Sequence, residues 1–265
     1  MLTVSTINVN GLRAAAGKGF LPWLAETDAD VVCLQETRAT PAQLSGEVRD
    51  PDGWHAVHVE SAVKGRNGVS VLSRTAPDGL RIGFGAAEFD DSGRYVEVDL
   101  PGLIVASLYL PSGEVGTARQ DEKDRFLAAF LPYLAELREK AAAGGREVVV
   151  CGDWNIAHRP EDLKNWKTNQ KKSGFLPGER AWLDRVYDEV GYVDVVRALQ
   201  PEGAGPYSWW SYRGKAFDND AGWRIDLQVA TPELAAKART ARVERAAEYA
   251  ARWSDHAPVT VAYDL

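Results

Sequence analysis

The sequence predicts an α/β protein in which two packed, mostly antiparallel β-sheets are flanked by helices. Three observations carry this expectation. Short β-branched runs bounded by Gly, Pro or polar residues recur from end to end, as buried strands require. Two neighbouring runs, Tyr95–Leu100 and Leu103–Leu110, are separated only by Pro101-Gly102 and read as a hairpin. Helical periodicity is confined to two segments. With no linker, low-complexity tract or internal repeat in the 265 residues, one domain over residues 1–265 is expected.

In chain order the strand candidates are Leu2–Asn8, Val31–Gln35, Trp54–Val59, Gly68–Leu72, Tyr95–Leu100, Leu103–Leu110, Glu147–Cys151, Tyr207–Ser211, Trp223–Ala230 and Val259–Tyr263. Phe126, Phe130, Leu134 and Leu137 mark one face of a long helix ending near Gly144-Gly145, with Pro132 expected to kink it. Trp182, Leu183, Val186 and Val190 mark a second helix, which opens after Pro177-Gly178 and stops at Gly191.

Hydrophobic residues make up 45% of the chain, enough for a sizeable core. The net charge of −7 argues against non-specific coating of nucleic acid. It is compatible with a nucleic-acid enzyme, because a carboxylate metal site lowers net charge while the bound cations attract phosphate. No apolar stretch approaches the roughly 20 residues that span a bilayer, and Met1-Leu2-Thr3-Val4-Ser5 lacks the basic start and apolar block of a signal peptide. The expectation is a cytoplasmic protein without membrane association. Cys33 and Cys151 lie inside apolar runs and read as packing thiols.

Four apolar runs deliver an acid or amide at their ends. Val31–Gln35 leads into Glu36, Val148–Gly152 into Asp153 and Asn155, Trp223-Arg224-Ile225 into Asp226, and Ser254-Asp255-His256 precedes the last run. Carboxylates at strand ends converge where a sheet opens to solvent. Oxygen ligands with one histidine suit metal-assisted hydrolysis and favour Mg²⁺ or Mn²⁺ over zinc.

Asn8-Val9-Asn10-Gly11-Leu12-Arg13, Leu34-Gln35-Glu36-Thr37, Leu108-Tyr109-Leu110-Pro111, Gly152-Asp153-Trp154-Asn155-Ile156-Ala157-His158, Gly174–Arg180, Gly222–Asp226 and Ser254-Asp255-His256 together resemble the exonuclease III family of abasic-site endonucleases. The resemblance implies a four-layered α/β sandwich with its cleft at one edge of the two sheets. It also implies divalent-cation-dependent cleavage of DNA phosphodiesters. By this resemblance Glu36 is the principal metal ligand, Asn10 and Asp255 belong to the metal site, and Asp153 and Asn155 offer oxygens to it. Asn8 hydrogen-bonds around the pocket and Tyr109 places a phenol at the scissile phosphate. Asp153 positions or deprotonates the attacking water, Asn155 donates to a phosphoryl oxygen, and Asp226 and His256 form the pair facing the phosphate. Trp209, Trp223 and Ile225 match the apolar wall for an extruded abasic sugar.

One position departs from the family pattern. The family commonly has Asn-Gly after the Tyr109 block, whereas this chain has Ser112-Gly113, a shorter side chain with a hydroxyl in place of an amide. Further along, Arg159 to Lys172 holds Arg159, Lys164, Lys167, Lys171 and Lys172 against Glu161 and Asp162, with Asn169 and Lys171 the best candidates for phosphate contact.

The function expected is incision 5′ to abasic sites and 3′-end removal on duplex DNA by a monomer that uses Mg²⁺ or Mn²⁺. The alternatives are a phosphodiesterase or phosphatase of the same fold acting on a small or lipid phosphate, and a non-catalytic DNA-binding scaffold.

Overall fold

The computed structural model describes residues 1–265. Its strands are β1 (Leu2–Asn8), β2 (Val31–Gln35), β3 (His55–Val59), β4 (Val69–Ser73), β5 (Gly79–Ile82), β6 (Tyr95–Leu100), β7 (Leu103–Tyr109), β8 (Glu147–Asp153), β9 (Val193–Asp194), β10 (Asp226–Ala230), β11 (Ala238–Val243) and β12 (Val259–Tyr263). They form two six-stranded sheets, ordered β11-β12-β1-β2-β4-β3 and β5-β6-β7-β8-β10-β9. Pairing is antiparallel except for β1 with β2 and β7 with β8, the central pairs.

Both parallel pairs need a crossover, and helices supply it. Short helices α1 (Leu12–Ala15), α2 (Leu21–Glu26) and α3 (Gly46–Arg49) cover the outer face of the first sheet, where Phe20, Leu24, Val32 and Leu34 pack. Helix α4 (Ala118–Ala143) covers the second sheet, bringing Phe126, Phe130, Leu134 and Leu137 onto Ala106, Leu108, Val148 and Val150. It continues through Pro132. After α5 (Trp166–Asn169), α6 (Pro177–Asp184) adds Trp182 and Leu183 to the same face. Between the sheets lies a third apolar layer that includes Val4, Val31, Cys33, Val98, Val105, Val149 and Cys151. Helix, sheet, sheet, helix is the four-layered arrangement expected.

Two strand assignments fail. Tyr207–Ser211 is not a strand, because its backbone is committed to loops: Ser208 and Trp209 amides donate to Trp223 and the Trp210 amide to Asp255. The run expected from Trp223 begins only at Asp226, since Arg224 bonds sideways to the Asp162 carbonyl. Three edge or short strands escaped the pattern, β5, β9 and β11. Edge strands carry polar side chains and lack the apolar run that marks a central strand. No helix is long and apolar enough to cross a membrane.

Topology places the site. The C-terminal ends of β1, β2, β7 and β8 share one edge of the sandwich, and the antiparallel strands β10 and β12 begin at that edge. Asn8, Glu36, Tyr109, Asp153, Asp226 and His256 are therefore brought together.

Candidate active site

Strand ends alone do not aim side chains; local backbone does. Asn10, Glu36 and Asn155 all lie at positive φ, at 48°, 56° and 50°. Such conformations are sparsely populated by non-glycine residues and persist where surrounding contacts hold them. Gly152 has a different reason: a Cβ there would sit 1.9 Å from the Leu108 carbonyl oxygen, so only glycine lets β8 run against β7 just before Asp153.

The cleft is about 360 Å³, and Asn8, Asn10, Glu36, Tyr109, Asp153, Asn155, Trp209, Trp223, Ile225, Asp255 and His256 all line it. Asn8 joins the two sheets, its Nδ2 donating to Glu36 Oε2 and Asp153 Oδ2, both at 2.9 Å. The Asn10 amide donates to Asn8 Oδ1, and Asn10 Nδ2 donates to Asp255 Oδ1 at 2.9 Å. Asp255 Oδ2 accepts from Trp209 Nε1 at 3.0 Å. Asp153 Oδ1 accepts the Asn155 amide at 3.0 Å, and Asn155 Nδ2 donates to the Leu110 carbonyl at 2.8 Å.

Beneath these lies a buried pair. His256 Nδ1 is 2.8 Å from Asp226 Oδ2, and its Nε2 is 3.9 Å from Asp153 Oδ2. A carboxylate only accepts, so Nδ1 carries the proton. Ser208 Oγ donates to the same Asp226 oxygen at 2.6 Å and accepts the Asp226 amide at 3.1 Å. Asp226 Oδ1 is buried without a hydrogen-bond partner. Ligand atoms of Asp153, Asp226 and His256 all lie within 4.8 Å of one another, close enough to share one ion, but a ring protonated on both nitrogens has no lone pair to offer it.

These neighbours set the charges. Burial pushes the Asp153 carboxyl up, His256 pulls it back and Asp226 raises it again, leaving it at about 7. For His256 burial favours the neutral ring, but the Asp226 carboxylate with Asp153 and Asp255 overrides it and raises the imidazole to about 10. Tyr109, which pairs with Asp153 across β7 and β8, has its phenol held neutral by burial and by the Glu36 and Asp153 carboxylates.

Trp209 and Trp223 meet edge to face with centroids 6.2 Å apart, and Ile225 is buried beside them. Asn169 and Lys171 do not join this set. Asn169 Nδ2 turns back to the Asn165 carbonyl at 2.8 Å, Lys171 is exposed, and neither lines the cleft. Asp162, read as part of a charged run, is instead fully buried against Arg224 and Arg197.

Sequence reasoning missed Arg38, which pairs with Glu36 at the rim, and Ser208, which orients Asp226. Ser208 had a weak signal, a hydroxyl beside an aromatic pair; Arg38 had none.

A cleft of converging carboxylates, amides and a charged imidazole at the edge of a four-layered sandwich defines a phosphoester hydrolase. The chain belongs to the endonuclease/exonuclease/phosphatase family, whose pattern matches residues 5–256. It is 37% identical to an exodeoxyribonuclease of Bacillus subtilis, over 97% of this chain and 98% of that one. Two solved structures superpose over 100% of both chains, each with a TM-score of 0.89 and 29% identity: the AP endonuclease from Archaeoglobus fulgidus, and the 3′ phosphatase NExo from Neisseria bound to a product DNA hairpin. These relatives agree with the exonuclease III and abasic-site endonuclease branch.

Proposed function

We propose that this chain is a DNA repair nuclease that, with Mg²⁺ or Mn²⁺, cuts the phosphodiester 5′ to an abasic site and removes nucleotides or blocking groups from 3′ ends of duplex DNA. The observation that carries this reading is the Asn8 bridge, which sets Glu36 and Asp153 in one cleft with the Asp226–His256 pair below and the tryptophan wall beside them.

The donors fit a hard divalent cation. Glu36, Asn10, Asp153, Asn155 and Asp255 present only oxygen and amide groups, no thiolate faces the cleft, and the orphaned Asp226 Oδ1 is a further free acceptor. Glu36, with Asn10 and Asp255, would hold the ion, and Asp153 and Asn155 offer further oxygens. When bound, it supplies Lewis-acid stabilisation of charge on the phosphate and the departing O3′.

The chain's own residues do the rest. Asp153, part-ionised near neutral pH, orients a water and takes its proton as the new P–O bond forms and the bond to O3′ breaks. His256, charged and fixed by Asp226, presents Nε2–H to the charge developing on a phosphoryl oxygen. The Asn155 amide and Tyr109 phenol are further donors at that phosphate. Trp209, Trp223 and Ile225 exclude an intact nucleotide by shape, while a missing base makes extrusion cheaper. Lys171 and Asn169 would contact backbone phosphate outside the cleft, a monomer binding one duplex.

The test is a labelled duplex with one abasic analogue, incubated with purified protein with and without EDTA. A cut at the lesion only with Mg²⁺ is expected. Inert duplex beside rapid hydrolysis of an inositol phosphate would overturn the reading in favour of a small-molecule phosphatase.

A further inference from the structure

Behind the cleft, rather than in it, lies a buried ion pair. Lys123 on α4 is fully buried, and Glu179 in the first turn of α6 is 2% exposed. Lys123 Nζ is 2.8 Å from Glu179 Oε1, and it donates to the backbone oxygens of Asn155 at 2.9 Å and Ser112 at 3.3 Å. Glu179 holds a third segment: Oε2 accepts the Gly174 and Leu176 amides at 2.7 and 3.0 Å, and Oε1 accepts the Ser173 hydroxyl at 3.2 Å.

Ser112, Asn155, Ser173 and Gly174 all line the cleft. Three loops far apart in sequence therefore hang on one pair of charges. Asn155 shows the consequence most directly. Its left-handed backbone is pinned at the amide by Asp153 and at the carbonyl by Lys123. Gly113 shows how closely the loops seat, since a Cβ there would stand 2.3 Å from Ser173 Oγ and 2.9 Å from Lys123 Cδ. Packing alone does not call for charges at this depth, because an apolar pair of similar volume serves a core at least as well.

We propose that Lys123 and Glu179 are positioning residues for the reaction, fixing Asn155 and the Ser112–Gly113 and Ser173–Gly174 walls against the reacting phosphate. Neither touches the substrate. The proposal takes its substrate from the function proposed above, so the experiment carries a second readout that needs none.

The variants are K123R, E179Q and the apolar double variant K123M/E179L, assayed on the abasic duplex with Mg²⁺. The double variant also removes the partners of the Gly174 and Leu176 amides and of the Asn155 and Ser112 carbonyls. It is therefore expected to melt below the wild-type temperature and to lose about 10²-fold in kcat with little change in KM, as an ångström-scale misplacement does. K123R, which keeps charge and donors, retains most of the wild-type kcat. Amide hydrogen exchange at Asn155, Gly174 and Leu176 rises together in the double variant. E179Q, which keeps the shape and one acceptor oxygen, carries the same readings if the double variant does not fold. A folded variant lacking the pair that keeps wild-type kcat overturns the proposal, as does wild-type exchange at Asn155 and Gly174. A wild-type chain that leaves the abasic duplex intact overturns the proposed function instead, and the exchange rates then decide the positioning role by themselves.

Discussion

His256 turns Nδ1 to Asp226 at 2.8 Å, and this leaves Nε2 facing Asp153 at 3.9 Å. One imidazole thus links two carboxylates of opposite duty. Asp226 accepts the Nδ1–H hydrogen bond and keeps the ring charged, while Asp153 stays poised near neutrality because burial opposes its ionisation. Perturbed groups that titrate apart in one cleft are the usual mark of an acid and base assignment.

The pH dependence follows from these directions. Single-turnover incision of an abasic duplex should rise as Asp153 ionises around pH 7 and fall as His256 loses its proton toward pH 10. Asp226→Asn removes the largest influence that raises the ring and leaves only Asp153 and Asp255 to oppose burial, so the basic limb should move down in pH. Turnover near neutral pH should drop on the order of 10²- to 10³-fold, as for loss of one preorganised donor. An unmoved basic limb in this variant would mean that Asp226 does not control the imidazole.

Glu36 is tied to Asn8 and Arg38 and is the principal ligand of the proposed metal site. Glu36→Ala should raise the Mg²⁺ needed for half-maximal activity by about tenfold or more, with partial recovery at high Mg²⁺ or Mn²⁺. An unchanged Mg²⁺ titration would remove Glu36 from the metal site.

The tryptophan wall separates lesion recognition from chemistry. Trp209→Ala and Trp223→Ala should reduce preference for abasic over intact DNA by about tenfold or more, and should reduce release of a 3′ phosphate less. Trp209 also holds Asp255, so Trp209→Phe, which keeps the apolar surface and drops the Nε1 donor, separates the two effects. Equal loss of every activity in folded variants would make these rings support for Asp226 and Asp255 rather than a selector.

Asp162 carries a stability prediction. Burial alone would raise its carboxyl, but Arg224, with Arg197 beside it, holds it at about 2. The folded value lies below the unfolded 3.8, so its contribution is complete above that pH and is lost as pH falls toward 2. It amounts to about 2 kcal/mol. Asp162→Asn takes from Arg197 its carboxylate partner and from Arg224 one of two, since Arg224 keeps Asp194 at 2.7 Å. It should cost about 3 kcal/mol, while flattening the acid limb of a urea-stability curve taken between roughly pH 2 and 7. A variant as stable as wild type at neutral pH would show that the cluster is not a net contributor.

Central strands were legible because they are short runs rich in β-branched residues and bounded by turn or polar residues: Leu2–Asn8, Val31–Gln35, Tyr95–Leu100 and Val259–Tyr263 match the structure residue for residue. The site residues at their ends were legible for the same reason, since an acid or amide closing such a run stands out. What the sequence by itself determined is therefore the sheet interior and the identity of the chemical groups at its rim. Tertiary structure decided the rest. Tyr207–Ser211 has strand-like residues, but its hydrogen bonds go to Trp223 and Asp255, so it is a loop that seats Trp209 in the cleft. Lys123, Glu179, Asp162 and Arg224 have the composition of surface residues and are buried. A charge enters a protein interior only when its partners arrive with it, and here those partners come from segments far apart in the chain, at separations that no local pattern encodes.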